Sequence, residues 1–169
     1  MFQKKILVLS VLITALLLVS CGSSGNNAAD GETEPKLVGS LSEIMDSVYE
    51  NADLSQDFRD SMDGFDSGEI PADSAEYMIG TSDVEYTESF YSTPMMNVIP
   101  YQCILLRVPE GTDLEAAKTT IKDNADPRKW ICVEAESVVV ENVGDVILFV
   151  MADTETANAI RSAFLALGE

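Results

Sequence analysis

The first twenty residues limit what this chain can fold into, because they read as a segment that is removed before the rest folds. Lys4 and Lys5 precede a largely apolar run of 14 residues from Ile6 to Val19. That order of charge and apolar core is typical of a secretory signal peptide. A membrane-spanning helix needs about 20 apolar residues, so the run is too short to span a bilayer. We therefore expect residues 1–20 to be a signal peptide and the folded part to follow it.

The end of the apolar run indicates how the mature protein is held. The tetrad Leu18-Val19-Ser20-Cys21 resembles a bacterial lipobox, in which a diacylglyceryl group is attached to the cysteine thiol before cleavage in front of it. This resemblance implies lipidation at Cys21 and a partner in the membrane, with the protein anchored on the extracytoplasmic face of the cell membrane. The alternative is an ordinary cysteine behind an ordinary signal peptide, but the run ends without an A-x-A-like cleavage site.

The charge of the mature part restricts its partners. The chain has 10 basic and 29 acidic residues. With Lys4 and Lys5 removed, 8 basic residues face 29 acidic ones, a net charge of −21. Such a field repels nucleic acid and anionic lipid headgroups, and it favours a cationic or protein partner at the cell surface. Solubility alone is the simpler interpretation of the same charge.

The complete lack of histidine narrows the chemistry. It removes Ser-His-Asp and Cys-His catalysis and the commonest zinc ligand. We expect no cofactor and no metal site, and we expect a protein that is not an enzyme, although carboxylates, Lys, Tyr or Ser can support catalysis alone.

The patterning predicts a linker followed by one domain. Residues 21–36 contain the lipidated cysteine and a Gly-, Ser-, Asn- and Glu-rich stretch without apolar periodicity, and a flexible segment of this length spans roughly 20 Å. Residues 37–169 predict a single α+β domain with a roughly four-stranded antiparallel sheet and helices packed on one face. Its clearest elements are a capped helix from Ser40 to Asn51, a strand over 101–108 and a hairpin of two strands over 130–151.

Part of this domain is similar to a known group of sequences. Residues from about 78 to 151 resemble an uncharacterised domain family found in lipoproteins of Gram-positive bacteria. The resemblance rests on the segments at 94–98, 123–133 and 144–146. No established activity comes with that family, so the resemblance supports the lipoprotein interpretation and transfers no catalytic residue.

Two sets of residues are candidates for chemistry in the domain. Cys103 and Cys132 are the thiols left after lipidation, and outside the cytoplasm they form a candidate disulfide; two buried free cysteines are the alternative. Arg128, Lys129 and Trp130 form a candidate contact site for an anionic or aromatic group on an otherwise acidic surface. The simpler alternative is a loop whose tryptophan enters the core.

The acidic stretch from Asp53 to Asp66 suggests calcium. With Asp60 as the first position of an EF-hand loop, however, the third residue is Met62 and the fifth is Gly64, so the pattern fails. A solvated acidic face is the default interpretation.

Three functions fit these features. The leading one is a membrane-anchored extracytoplasmic domain that binds or scaffolds without catalysis. The second is a small lipoprotein that binds a solute or a cation. The third is a hydrolase that uses carboxylates such as Glu134 and Glu136, which lie at i and i+2.

Overall fold

Segments rich in valine, isoleucine and leucine pair into one antiparallel sheet of five strands. We analysed a computed structural model that describes residues 36–96 and 98–169. The strand order is β1-β2-β3-β5-β4. The strands are β1 (Phe65–Gly68), β2 (Glu88–Pro94), β3 (Gln102–Arg107), β4 (Ser137–Val143) and β5 (Val146–Ala152). The helices are α1 (Leu41–Asn51), α2 (Gln56–Ser61), α3 (Ala75–Ile79), α4 (Leu114–Asn124) and α5 (Thr154–Ala166), with a 3-10 turn at Met62–Gly64.

Several predictions fall outside the described residues. The signal peptide at 1–20, the lipidation site at Cys21 and the linker as far as residue 35 are not described. The described residues from Lys36 onwards belong to one compact unit. Within them, no helix is both long enough and apolar enough to cross a membrane.

The α+β class is confirmed, whereas two details of the predicted sheet are corrected. The sheet has five strands instead of four, because Phe65–Gly68 pairs with the end of β2. Helices cover both faces of the sheet, whereas the prediction placed them on one face. The helices α1 and α5 pack on the face that contains Leu105. The helix α4 and Trp130 pack on the face that contains Ile104. The reason is visible in β5, where every residue is buried. Such continuous apolar strands are typical of a sheet buried on both sides.

The two ends of the sheet are defined here by the first and last residues of the central strand, β3. It pairs with β2 on one side and with β5 on the other. Its first residue, Gln102, lies opposite Met151, and its last residue, Arg107, lies opposite Val146. The connection between β2 and β3 therefore lies at the Gln102 end of the sheet, together with the segment that leads into β4. The β4–β5 turn lies at the Arg107 end.

Local signals explain most helix starts. The predicted capping box at Ser40 is present, with the Ser40 side chain accepting from the Glu43 backbone N–H and the Glu43 side chain accepting in return. These hydrogen bonds from Ser40 lower the pKa of Glu43. The helix α4 is capped by Asp113, whose carboxylate accepts from the Ala116 N–H.

The strand predicted from Trp130 to Glu141 is shorter than expected. Residues 127–136 form a turn-rich loop, and β4 begins at Ser137. Within this loop Ala135 N–H donates to Pro127 O at 2.9 Å and Ile131 N–H donates to Arg128 O at 2.9 Å. The loop folds back on itself, and for that reason its apolar residues do not continue the alternation of a strand.

Candidate functional site

Among the described residues, Lys129 is a cation whose ammonium lies over two aromatic rings. Its side chain is partly buried at the end of the sheet where β3 begins. The ammonium nitrogen lies 4.9 Å from the centre of the Tyr77 ring and 5.5 Å from the centre of the Trp130 ring. It also donates a hydrogen bond to the side-chain oxygen of Gln102. Aromatic faces attract cations within about 6 Å, so two rings and one amide oxygen hold this charge in place.

Gln102 is itself fixed by the fold. It is the first residue of β3 and is almost fully buried. Its side-chain amide donates to the backbone oxygen of Met78, in α3, at 2.9 Å. This bond sets which way the amide points, so its oxygen is directed at Lys129. The lysine is therefore positioned by the sheet and by α3 together.

Two clefts meet at Lys129. One has a volume of about 410 Å³ and is lined by residues of α3, by the end of α4 and by Asp126. The other has a volume of about 260 Å³, and its lining includes Asp66, Tyr91 and Trp130. Tyr77, Met78 and Lys129 line both clefts. Binding pockets for small molecules usually measure about 300–1,000 Å³, so these clefts suit a small group or the end of a longer ligand.

The environment changes the acidity of Lys129. Burial lowers its pKa from the usual 10.5 to about 8, and the nearby carboxylate of Asp126 limits the shift. The physical cause is that the charged form loses contact with water. At neutral pH the side chain is still mostly an ammonium, and its partial burial as a charged group costs free energy.

A close approach of backbone places α3 next to the Lys129 loop. Gly80 ends α3 in the left-handed region, with φ of +89°. A Cβ atom at this position would lie 2.3 Å from the backbone oxygen of Asn124, the last residue of α4. Only glycine fits there without a shift of one helix end. Gly80 thus sets the width of the cleft between α3 and α4.

The loop next to Lys129 presents an exposed apolar tip. Ile131 is 94% exposed and has φ of +68°, a conformation that is unfavourable for a β-branched residue. Backbone strain of this kind costs about 1–3 kcal/mol and occurs preferentially at functional sites.

Exposed apolar side chains collect at the same end of the sheet. Six large apolar side chains are exposed among the described residues, and Val38 alone lies at the Arg107 end. The other five surround the start of β3 or the Lys129 loop: Tyr77, Met95, Met96, Val98 and Ile131. We call the surface formed by these five residues and Lys129 the Lys129 end.

The opposite end of the sheet holds the start of the folded chain. Arg107 donates to the backbone oxygens of Leu37 at 3.1 Å and Gly39 at 2.9 Å. It also pairs with Glu88 at 3.1 Å and with Asp145 at 3.2 Å. All four contacts are made by one mostly buried guanidinium, so residues 37–39 are tied to this end. We call it the tether end.

Two further contacts extend the tether end. Lys36 Nζ lies 3.6 Å from a carboxylate oxygen of Asp145. The first backbone N–H of α1, at Leu41, donates to Glu88 at 2.9 Å. Glu88 thus joins Arg107 to the start of α1, and the predicted linker enters the domain at a fixed place.

The structure separates Arg128 from the other two residues of the predicted contact site. Arg128 is exposed and pairs with Glu134 at 3.3 Å, away from the cleft. Trp130 is buried in the core, as in the simpler alternative given above. Its ring nevertheless lies beside the Lys129 ammonium. Lys129 is the member of the three whose charge lies in a cleft.

The candidate disulfide is not formed. Cys103 and Cys132 are both free; the first is buried and the second is exposed. Cys103 lies in β3 on the face packed by α1, with its sulfur 3.5 Å from that of Met45. Cys132 lies in the loop beyond Trp130 and is exposed, so the alternative of two buried free cysteines holds for Cys103 alone. Burial raises the pKa of Cys103 to about 12.

The carboxylates considered for hydrolysis make local contacts. Glu134 pairs with Arg128, and Glu136 accepts from the N–H of Thr154 at 3.2 Å. Both side chains are exposed. In the part of the chain that the structure describes, no group of three or more acidic or cysteine side chains is arranged to hold a metal ion.

Two residues of the site were missed by sequence reasoning. Tyr77 and Gln102 are distant from Lys129 in the chain and reach it only through α3 and β3. The one sequence signal was Gln102 itself, a polar residue at the start of an apolar strand.

No family model, no curated protein and no solved structure matches this chain. The resemblance of residues 78–151 to lipoprotein domains therefore stays a prediction, and the function rests on the geometry of the two ends of the sheet.

Proposed function

We propose that this chain is a membrane-anchored extracytoplasmic binding domain without catalysis, which holds a peptide or protein partner at the Lys129 end. One observation carries the proposal. The two clefts that meet at Lys129, and five of the six large apolar side chains that are exposed among the described residues, lie at the end of the sheet opposite to the segment 36–39. A domain tethered at one end presents the other end to the surroundings.

The composition of the Lys129 end supports partner binding. Aromatic residues and methionine are enriched at protein interfaces, and Tyr77, Met95 and Met96 are exposed at this end. The strained and exposed Ile131 is an anchor residue that a partner would bury. The tether end also has a cleft, of about 600 Å³, but the guanidinium in its lining makes its contacts within the domain itself. Among the described residues, Val38 is the one large apolar side chain exposed at that end.

The anchor is a separate part of the proposal. Cys21→Ser removes the thiol to which the lipid would be attached, and it leaves the domain untouched. We expect this variant to lose its stable association with membranes while keeping the circular dichroism spectrum of the wild type. A Cys21→Ser protein that still sediments fully with membranes, processed and of normal size, would contradict the anchor.

Photocrosslinking on intact cells tests the binding end. A photoreactive amino acid replaces Ile131 in one variant and Val38 in another, a matched pair because these side chains are 94% and 91% exposed at opposite ends. We expect a reproducible adduct, identified by mass spectrometry, from position 131 and none of that mass from position 38. Equal adducts from both positions, or none from position 131, would contradict the proposal.

A further inference from the structure

The ammonium of Lys129 has donor capacity that the described domain does not use. Lysine has three N–H donors, and its one side-chain acceptor among the described residues is Gln102. None of the ion pairs within the described ranges includes Lys129. A partly buried lysine is usually paired with a carboxylate. The carboxylate of Asp126 is nearby but makes no ion pair with Lys129, so the remaining donors are open to the clefts.

The lysine is held ready for an acceptor. Tyr77 and Trp130 flank the ammonium, and Gln102 binds it from the start of β3. A side chain that is already ordered loses less entropy when a ligand binds. The cost of burying the charge is also repaid in part when an anion arrives, since buried charges are stable only when paired. The arrangement therefore favours one anionic group from outside.

The surrounding charges restrict that group to a single negative charge. Asp66, Glu76 and Asp126 line the two clefts, and the mature chain is strongly acidic. Phosphate or another dianion carries two negative charges, so these carboxylates would repel it about twice as strongly as a monoanion. A carboxylate carries one charge, and the body of its molecule is best tolerated if it is neutral or basic.

The lining of the smaller cleft indicates what is next to the carboxylate. Its apolar and aromatic lining is formed by Pro71, Tyr77, Met78, Tyr91, Pro94 and Trp130, and its volume is about 260 Å³. This space suits one apolar side chain and not a whole peptide. Met95, Met96, Val98 and Ile131 are exposed at the same end of the sheet, outside the lining of the cleft.

We infer that Lys129 receives the C-terminal carboxylate of a peptide or protein whose last side chain is apolar and whose preceding residues are neutral or basic. Capture of a chain terminus is a recurring mode of peptide recognition. The inference rests on the proposed binding function and adds the chemistry of the ligand. Charge-assisted hydrogen bonds from the ammonium to the carboxylate would supply the specificity for a free terminus.

The test uses two peptide mixtures and the full-length protein in non-ionic detergent. The peptides have lysine at two upstream positions and random residues at the last three; one mixture ends in free carboxylates and the other in amides. Binding is followed by fluorescence, because Trp130 is the single tryptophan of the chain and lies beside Lys129. Retained peptides are then sequenced. Free L-leucine is titrated in parallel as a carboxylate without a peptide body.

We expect the free-acid mixture to bind at least about 10-fold more tightly than the amide mixture, with apolar last residues enriched. Lys129→Met, which keeps an unbranched side chain one atom shorter and without the charge, removes this preference. Arg128→Met, the matched loss of the neighbouring exposed cation, keeps it.

Several results would overturn the inference. Equal binding of acid and amide mixtures would do so without any protein variant, as would a preference that survives in Lys129→Met. Binding of L-leucine as tight as that of the peptides would show an amino-acid site in place of a chain-terminus site. The photocrosslinking at position 131 would be unaffected by these outcomes, so failure of the inference is distinguishable from failure of the proposed binding end.

Discussion

Gln102 and Arg107 lie at the two ends of the same strand, β3, and each holds a different part of the molecule. Gln102 holds the ammonium of Lys129, and Arg107 holds the backbone of Leu37 and Gly39. Five residue steps along an antiparallel strand correspond to about 17 Å. The site with exposed apolar residues and the entry of the predicted linker are thus separated by the length of the central strand.

The lowered pKa of Lys129 predicts how stability depends on pH. Its pKa is about 8 in the folded protein against 10.5 when exposed, so between these values the unfolded chain binds more protons. Stability then rises with pH. We expect the unfolding free energy of the wild type, relative to Lys129→Met, to increase by about 3 kcal/mol between pH 7 and pH 10.5.

Urea unfolding at several pH values measures this difference. Asp66, Glu76, Tyr77, Tyr91 and Asp126 face Lys129 from the surrounding elements, and they are present in both proteins, so their titration cancels to first order. If the difference in unfolding free energy between the two proteins stayed constant with pH, burial would not lower the pKa of Lys129.

Arg107 is expected to be the most important ion-pairing residue for stability. Replacing it with methionine leaves Glu88 and Asp145 without their shared cation and frees two backbone oxygens. We expect a loss of about 3 kcal/mol of unfolding free energy. Arg161→Met is the control, since its pair with Glu141 is more exposed and contributes less than about 1 kcal/mol. Equal losses for the two variants would contradict the assigned role of Arg107.

Gly80→Ala tests how the cleft is built. The added Cβ would meet the Asn124 backbone, and the positive φ would add strain. We expect a loss of about 1–3 kcal/mol in unfolding free energy and a shift of the Trp130 fluorescence maximum, because α3 moves. Gly111→Ala is the control for strain alone, since it also has positive φ but meets nothing within 4 Å. A Gly80→Ala protein with the stability and spectrum of Gly111→Ala would disprove the close contact.

The two domain cysteines are expected to react very differently. Cys132 is exposed, whereas Cys103 is buried with its pKa raised to about 12. A maleimide at pH 7.5 should modify Cys132 in the native protein and Cys103 only after unfolding, as read by peptide mapping. Modification of Cys103 at the rate of Cys132 would contradict the packing of β3 against α1.

The sequence predicted best those elements whose signals are local. The Ser40 capping box and the apolar run of β3 are both in place. Elements that depend on distant residues were missed: β1 is short and polar, and it exists because it pairs with β2. The prediction of the site was incomplete for the same reason. Lys129 was a candidate from its own segment, but its partners Tyr77 and Gln102 come from α3 and β3.

The arrangement of the two ends can be measured directly in lipid vesicles that carry the full-length protein. One sample bears a fluorophore on Cys132; the other bears it on Val38→Cys in a Cys132→Ser background. Quencher lipids with labelled headgroups report the distance of each position from the membrane. We predict strong quenching at position 38, next to the linker, and weak quenching at position 132. Equal quenching at both positions, or stronger quenching at position 132, would contradict a binding end that faces away from the membrane.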